Sequence, residues 1–196
     1  QIADYILDHF DQKTRRTAGY RLGDKRLSGF NSLLATASID AAKRYYNIIE
    51  MAQRDREATN PGYRRLKVGL IFSYAANEDD PDGLLAEEEF ETHDLDQSSR
   101  EFLEDAIGDY NELFGTTFDT SAERFGNYYK DLSQRLKNRD LDLVIVVNMF
   151  LTGFDATTLN TLWVDKSLRQ HGLIQAYSRT NRILNSVKTY GNVVAF

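Results

Sequence analysis

Five consecutive apolar residues, Leu143-Val144-Ile145-Val146-Val147, constrain this chain more than any other stretch of it. A strand with one face in water alternates apolar and polar residues. A strand with no polar position must be covered on both faces. The run therefore predicts a central strand of a parallel sheet with helices on either side. The surrounding pattern agrees. Phe30 to Ala37 is a compact, mostly apolar run that reads as a buried strand. Ser38 follows as a helix cap, and Ala41, Ala42, Tyr45, Tyr46, Ile49 and Ala52 recur on one helical face. Asn60-Pro61-Gly62 is a turn signal, and Leu66 to Phe72 reads as the next strand. Thr161 to Val164 and Val193 to Phe196 read as two more. Strand, helix, strand is the order of a parallel α/β fold.

The remaining segments are read by their caps and composition. Ile2, Ile6, Leu7 and Phe10 have helical spacing and predict a short amphipathic helix. From Asp11 to Arg26 the chain carries Lys13, Arg15, Arg16, Arg21, Lys25 and Arg26 with two glycines, the composition of a solvated linker. The expected organisation is a linker with an N-terminal helix over 1–27 and one domain over 28–196, with an acidic loop at about 77–97. Beyond that loop two capping boxes, Ser98-x-x-Glu101 and Thr120-x-x-Glu123, predict two helices that stop at Gly115 and Asn138. Leu173 to about Arg182 predicts one more.

Composition bounds the function. The 196 residues suffice for one good core, and no apolar run is long enough to span a bilayer, so no membrane partner is expected. Without cysteine there are no disulfides or thiolate metal sites, in keeping with a cytoplasmic location. His9, His93 and His171 are far apart, and no metal site is expected of them. The chain lacks a starting Met and ends on an apolar run, so it is read as a piece of a longer protein. The net charge of −6 is uneven: Asn77 to Glu123 holds 17 Asp and Glu against Arg100 alone, which leaves the remainder positive by ten. A basic body can bind nucleic acid; a solvated acidic loop on a neutral enzyme gives the same total.

Two short motifs carry chemistry. Thr152-Gly153-Phe154-Asp155 follows the central strand, at the strand edge where open parallel sheets bind ligands. Gly153 permits close backbone approach, and Asp155 offers a carboxylate to a ribose hydroxyl or a partner arginine. A plain loop turn with a capping Asp would use the same residues. In Gln175-Ala176-Tyr177-Ser178-Arg179-Thr180-Asn181-Arg182, helical spacing puts Gln175, Arg179 and Arg182 on one face. Paired arginines suit a polyphosphate, although a surface ion-pair cluster is the simpler alternative. No Gly-x-x-x-x-Gly-Lys-Ser/Thr loop is present, so this chain cannot cradle a nucleoside triphosphate alone. The arginines would complete a site supplied elsewhere.

Asp142 to Ala156 resembles motif V of superfamily 2 helicases, and Gln175 to Arg182 resembles their motif VI with both arginines in register. The wording of Met149 to Asp155, Asn160 to Lys166 and Gln175 to Asn185 closely resembles the restriction (R) subunit of type I restriction–modification enzymes. The likeness extends through Phe30 to Tyr46, Phe72 to Asn77 and Phe102 to Asn111. It implies a RecA-like three-layer sandwich with a mainly parallel sheet, the second motor lobe of an ATP-driven double-stranded DNA translocase that cleaves at a distance. By resemblance, Arg179 and Arg182 are arginine fingers facing ATP, whose Mg2+ is held mainly by the first lobe. Gly153, Asp155 and Gln175 join the ATP site, and Ser38 and Thr152 contact DNA phosphates. The first lobe and the methyltransferase (M) and specificity (S) subunits are the implied partners. Ser178 and Asn181 stand where many helicases have glycine, so the approach of the arginines differs in detail. A motor must step along any sequence, so its contacts should be to phosphates. Another superfamily 2 motor, or an interaction domain that lost its motor, are the alternatives.

Overall fold

The computed structural model describes residues 1–72, 95–147, 156–165, 178, 180–182, 184 and 187–196. Five strands form one sheet: β3 (Asn31–Thr36), β4 (Val68–Ile71), β5 (Leu143–Val146), β6 (Leu159–Asp165) and β7 (Asn192–Ala195). Their order is β4-β5-β3-β6-β7 and every pairing is parallel. Helices α1 (Ile2–Lys13), α2 (Ile39–Thr59), α3 (Gln97–Phe114) and α4 (Ala122–Lys137) flank it. This is an α/β, RecA-like sandwich, because parallel neighbours need crossovers and the crossover helices cover the sheet.

Burial follows pattern. Every residue of β3, β4 and β5 is buried, whereas β7 at the edge is only partly covered. The all-apolar run lies inside the sheet as β5, but the middle position belongs to β3. The sequence hid this because β3 carries Asn31, Ser32 and Thr36. Two of them are hydrogen-bonded: Asn31 Nδ2 donates to the Leu136 carbonyl, and Thr36 Oγ1 donates to the Val146 carbonyl at 3.2 Å.

The helix starts differ from the capping-box expectation. Asp96, not Ser98, caps α3: its Oδ1 accepts from the Ser99 amide at 3.0 Å and its Oδ2 from the Ser99 hydroxyl at 2.6 Å. A carboxylate there also meets the positive end of the helix dipole. Ser121 precedes α4 without a side-chain cap, and the Thr120 amide donates to Glu104 Oε2 instead. Gly115, in the left-handed region at φ 67, ends α3 as expected.

The segment read as linker is folded. β1 (Gly19–Leu22) and β2 (Lys25–Ser28) form an antiparallel hairpin. Tyr20 stacks on Phe30 with centroids 4.7 Å apart, and Leu22, Leu27, Leu184 and Val187 complete a small separate core. Lysine and arginine content concealed it, because only one strand face is apolar. Helix α1 joins the main core through Ala3, Ile6, Leu7 and Phe10. Where β3 and β5 begin, Asp142 lies between two buried arginines, Arg139 Nη2 at 2.8 Å and Arg16 Nη2 at 3.5 Å. The other edge of the sheet is free of this clamp and is where ligands bind in such folds. No described helix is long and apolar enough to cross a membrane.

Candidate functional site

The sheet's carboxyl edge is set by register. Thr36 pairs with Asp165, Ala35 with both Val146 and Val164, and Val164 with Ala195, so the ends of β3, β5, β6 and β7 lie side by side. β3 runs at once into α2 through Ala37 and Ser38. Ser38 is exposed and extended, with φ −156 and ψ 164, and its Oγ accepts from the Ala41 amide at 3.2 Å. That bond uses a lone pair and leaves the hydroxyl hydrogen to donate outward. Ser38 thus combines a donor with the positive end of a 21-residue helix, a setting that favours phosphate oxygens.

Beside it, the Tyr45 hydroxyl donates to Asp165 Oδ2 at 2.5 Å, fastening α2 to the end of β6. Burial first, and then the bond to Asp165, push the Tyr45 phenol above its ordinary pKa, so it stays a donor at neutral pH. Sequence reading did not single out Tyr45, Thr36 or Asp165 as site residues. Only strand register brings Thr36 beside Asp165, and only helix docking brings Tyr45 to that carboxylate.

Thr152, Gly153, Asp155, Gln175 and Arg179 lie outside the described residues, as do His93, His171 and most of the acidic stretch. The described chain leaves β5 at Val147 and β6 at Asp165, both at the carboxyl edge. Ser178 and Thr180 are helical, but Asn181 and Arg182 are not. Arg182 is exposed and not helical, while Gln175 and Arg179, the residues expected to share its face, are outside the described residues.

Packing fixes that exit. Thr180 is 1% exposed and pressed on Gly191: a Cβ at Gly191 would lie 2.3 Å from the Thr180 Cβ and carbonyl oxygen. Gly191 precedes β7, whose Asn192 pairs with Thr161 near the start of β6. Lys188, also 1% exposed, donates to the carbonyls of Thr157, at 3.3 Å, and Leu159. Thr180 thus sits toward the amino edge of the sheet and Ser38 at the carboxyl edge, so the structure does not bring Ser38 and Arg182 together.

A family model described as "Type I restriction enzyme subunit R domain 3" matches residues 28–196. The chain belongs to this family. The whole chain is 37% identical to a type I restriction enzyme endonuclease subunit of Staphylococcus aureus and 40% identical to one of Staphylococcus saprophyticus, in each case over 197 aligned positions. A 48-residue stretch is 67% identical to the N-terminal part of a putative type I restriction enzyme endonuclease subunit of Mycoplasma pneumoniae. The chain spans 18% of the length of either staphylococcal relative. It is one domain's worth of an R subunit, and the match starts at the segment that leads into β3.

Proposed function

We propose that this R-subunit domain is the second motor lobe of a type I restriction enzyme. It would complete, with the first lobe, an ATP site whose turnover moves double-stranded DNA before cleavage. The observation that carries this reading is the family match over residues 28–196, on a fold whose β5 precedes Thr152-Gly153-Phe154-Asp155 in the chain. Arg179 and Arg182 are the groups suited to charge developing on the transferred phosphoryl. Gly153, Asp155 and Gln175 belong to the nucleotide side. Thr152 and Ser38 belong to the DNA side, where a hydroxyl and a helix N-terminus read phosphate without reading sequence.

Exposed Ser38 and Arg182 offer hydrogen-bond donors to anions at separate places, Ser38 on the DNA side and Arg182 on the nucleotide side. ATP supplies the free energy of phosphoryl transfer when bound, and the first lobe holds most of it together with Mg2+. M and S subunits would hold the complex at its recognition site, in the cytoplasm. The test is Arg179→Ala in the full-length R subunit. DNA-stimulated ATPase should fall by about 10³–10⁵, equivalent to roughly 4–7 kcal/mol of transition-state stabilisation. Unchanged ATPase would remove the finger role, and turnover by the isolated domain would defeat the two-lobe reading.

A further inference from the structure

The cationic segment near the amino end lies outside the motor motifs. In the β1–β2 hairpin, Tyr20 pairs with Leu27 on the face turned to the domain, and Arg21 pairs with Arg26 on the other. Arg21, Lys25 and Arg26 are all exposed. Like charges directly opposite across two strands are destabilising. Elsewhere Arg16, Arg56, Arg65, Arg124, Arg135 and Arg139 each have a carboxylate within 4 Å, whereas Arg21, Lys25 and Arg26 have none among the described residues. The juxtaposition is also held rigidly. Gly23, at φ 57, is the first residue of the two-residue turn, where a left-handed conformation lets the strands keep their twist. At the base, Arg15 donates to the Val187 carbonyl and the Tyr190 hydroxyl, both at 2.9 Å.

We infer that the outward face of this hairpin is a second, sequence-independent contact for the phosphate backbone of duplex DNA, separate from the carboxyl edge. The inference rests on the motor reading above. Its outward pairs, Gly19 with Ser28 and Arg21 with Arg26, include no apolar side chain. A protein partner would find no apolar centre there, whereas DNA interfaces are polar and strongly positive. The hairpin leads into the start of β3, and Ser38 follows its end. Six residues of strand separate the two contacts by about 20 Å, roughly six base pairs of duplex. The hairpin also sits on Leu184 and Val187, just after Arg182, so a load on it reaches the segment that carries the motor arginine.

The experiment measures duplex binding by the full-length R subunit against salt concentration, using two unrelated sequences. In R21Q/R26Q the slope of log affinity against log salt should fall by about 0.9 for each phosphate no longer neutralised, up to about two in all, equally for both sequences. R21K/R26K should keep the parental slope, and its melting temperature checks the fold if the glutamine variant melts early. A glutamine variant that melts like the parent and binds with unchanged affinity and slope overturns the inference. So does an unchanged slope with salt-sensitive loss of M- and S-subunit assembly, which would make the hairpin a protein-binding face. If Arg179→Ala abolishes ATPase while the hairpin variant binds normally, the hairpin proposal alone fails. A subunit that binds no duplex at any salt sinks both.

Discussion

Replacing Asp142 with Asn removes one negative charge from between two buried cations, and the structure gives the size of the effect. Asp142 is 4% exposed and Arg16 is 5% exposed. The carboxylate is 2.8 Å from Arg139, 3.5 Å from Arg16, and accepts the Lys67 amide at 2.9 Å. Breaking a buried pair from one side costs about 3–5 kcal/mol, because the remaining charge stays out of water. Two features favour the lower figure. Arg16 also donates to the carbonyls of Arg64 and Arg65, at 2.9 and 2.8 Å, and Arg139 to those of Gly29 and Leu141, at 3.1 and 2.9 Å. The asparagine oxygen can still accept from Lys67. The expected loss is about 3 kcal/mol, or roughly 6–12 °C in Tm for a domain of this size. Urea unfolding followed by circular dichroism measures it. Arg139→Met combined with Asp142→Leu should recover part of the loss, since it removes one cation along with the carboxylate. A loss below about 1 kcal/mol in Asp142→Asn would mean that the pairs are screened like surface ones, and the clamp argument would be wrong.

Other outcomes follow from single contacts. Gly191→Ala places a methyl group against Thr180 and should destabilise the chain by about 1–3 kcal/mol in a thermal melt; a neutral result would show that Thr180 moves freely. Ser38→Ala should lose about 1 kcal/mol of cap energy, whereas Ser38→Gly should lose only a few tenths. Both should weaken duplex binding, so a DNA effect in the alanine variant alone would trace to the helix and not to the hydroxyl. Burial pushes the Tyr20 phenol up to about 12 and also raises Tyr46, Tyr110 and Tyr128. A folded-state pKa above the unfolded one stabilises fully below about pH 10. That contribution fades for Tyr20 as pH climbs to about 12, so ultraviolet phenolate absorbance should rise together with unfolding. Ionisation of every tyrosine near pH 10 in the folded chain would contradict the burial.

The candidate site was legible unevenly. The strand ahead of Thr152-Gly153-Phe154-Asp155, and the cap at Ser38, could be read because each depends on residues within one or two turns of chain. The side-by-side placement of Thr36 and Asp165 could not, because it depends on register between strands far apart in the chain. The hairpin was missed for a different reason. Its own apolar set is only Tyr20, Leu22, Leu27 and Phe30, and it needs Leu184 and Val187 from the far end of the chain to close. Counted locally, that segment is charge and glycine.

By itself the sequence determined the strands of the main sheet, helices α1 to α4 and the family. Apolar runs with no polar break must become covered strands, helical periodicity must present one apolar face, and the motif wording places the chain among R subunits. Tertiary structure alone decided that β3 and not β5 takes the middle of the sheet, and that Arg16 is buried while Arg21 and Arg26 stay in water. The physical reason is the range of the forces that set each. Backbone preference and side-chain period act over a few residues. The partner that satisfies a buried polar or charged group, such as Asp142 for Arg16, can come from anywhere in the chain.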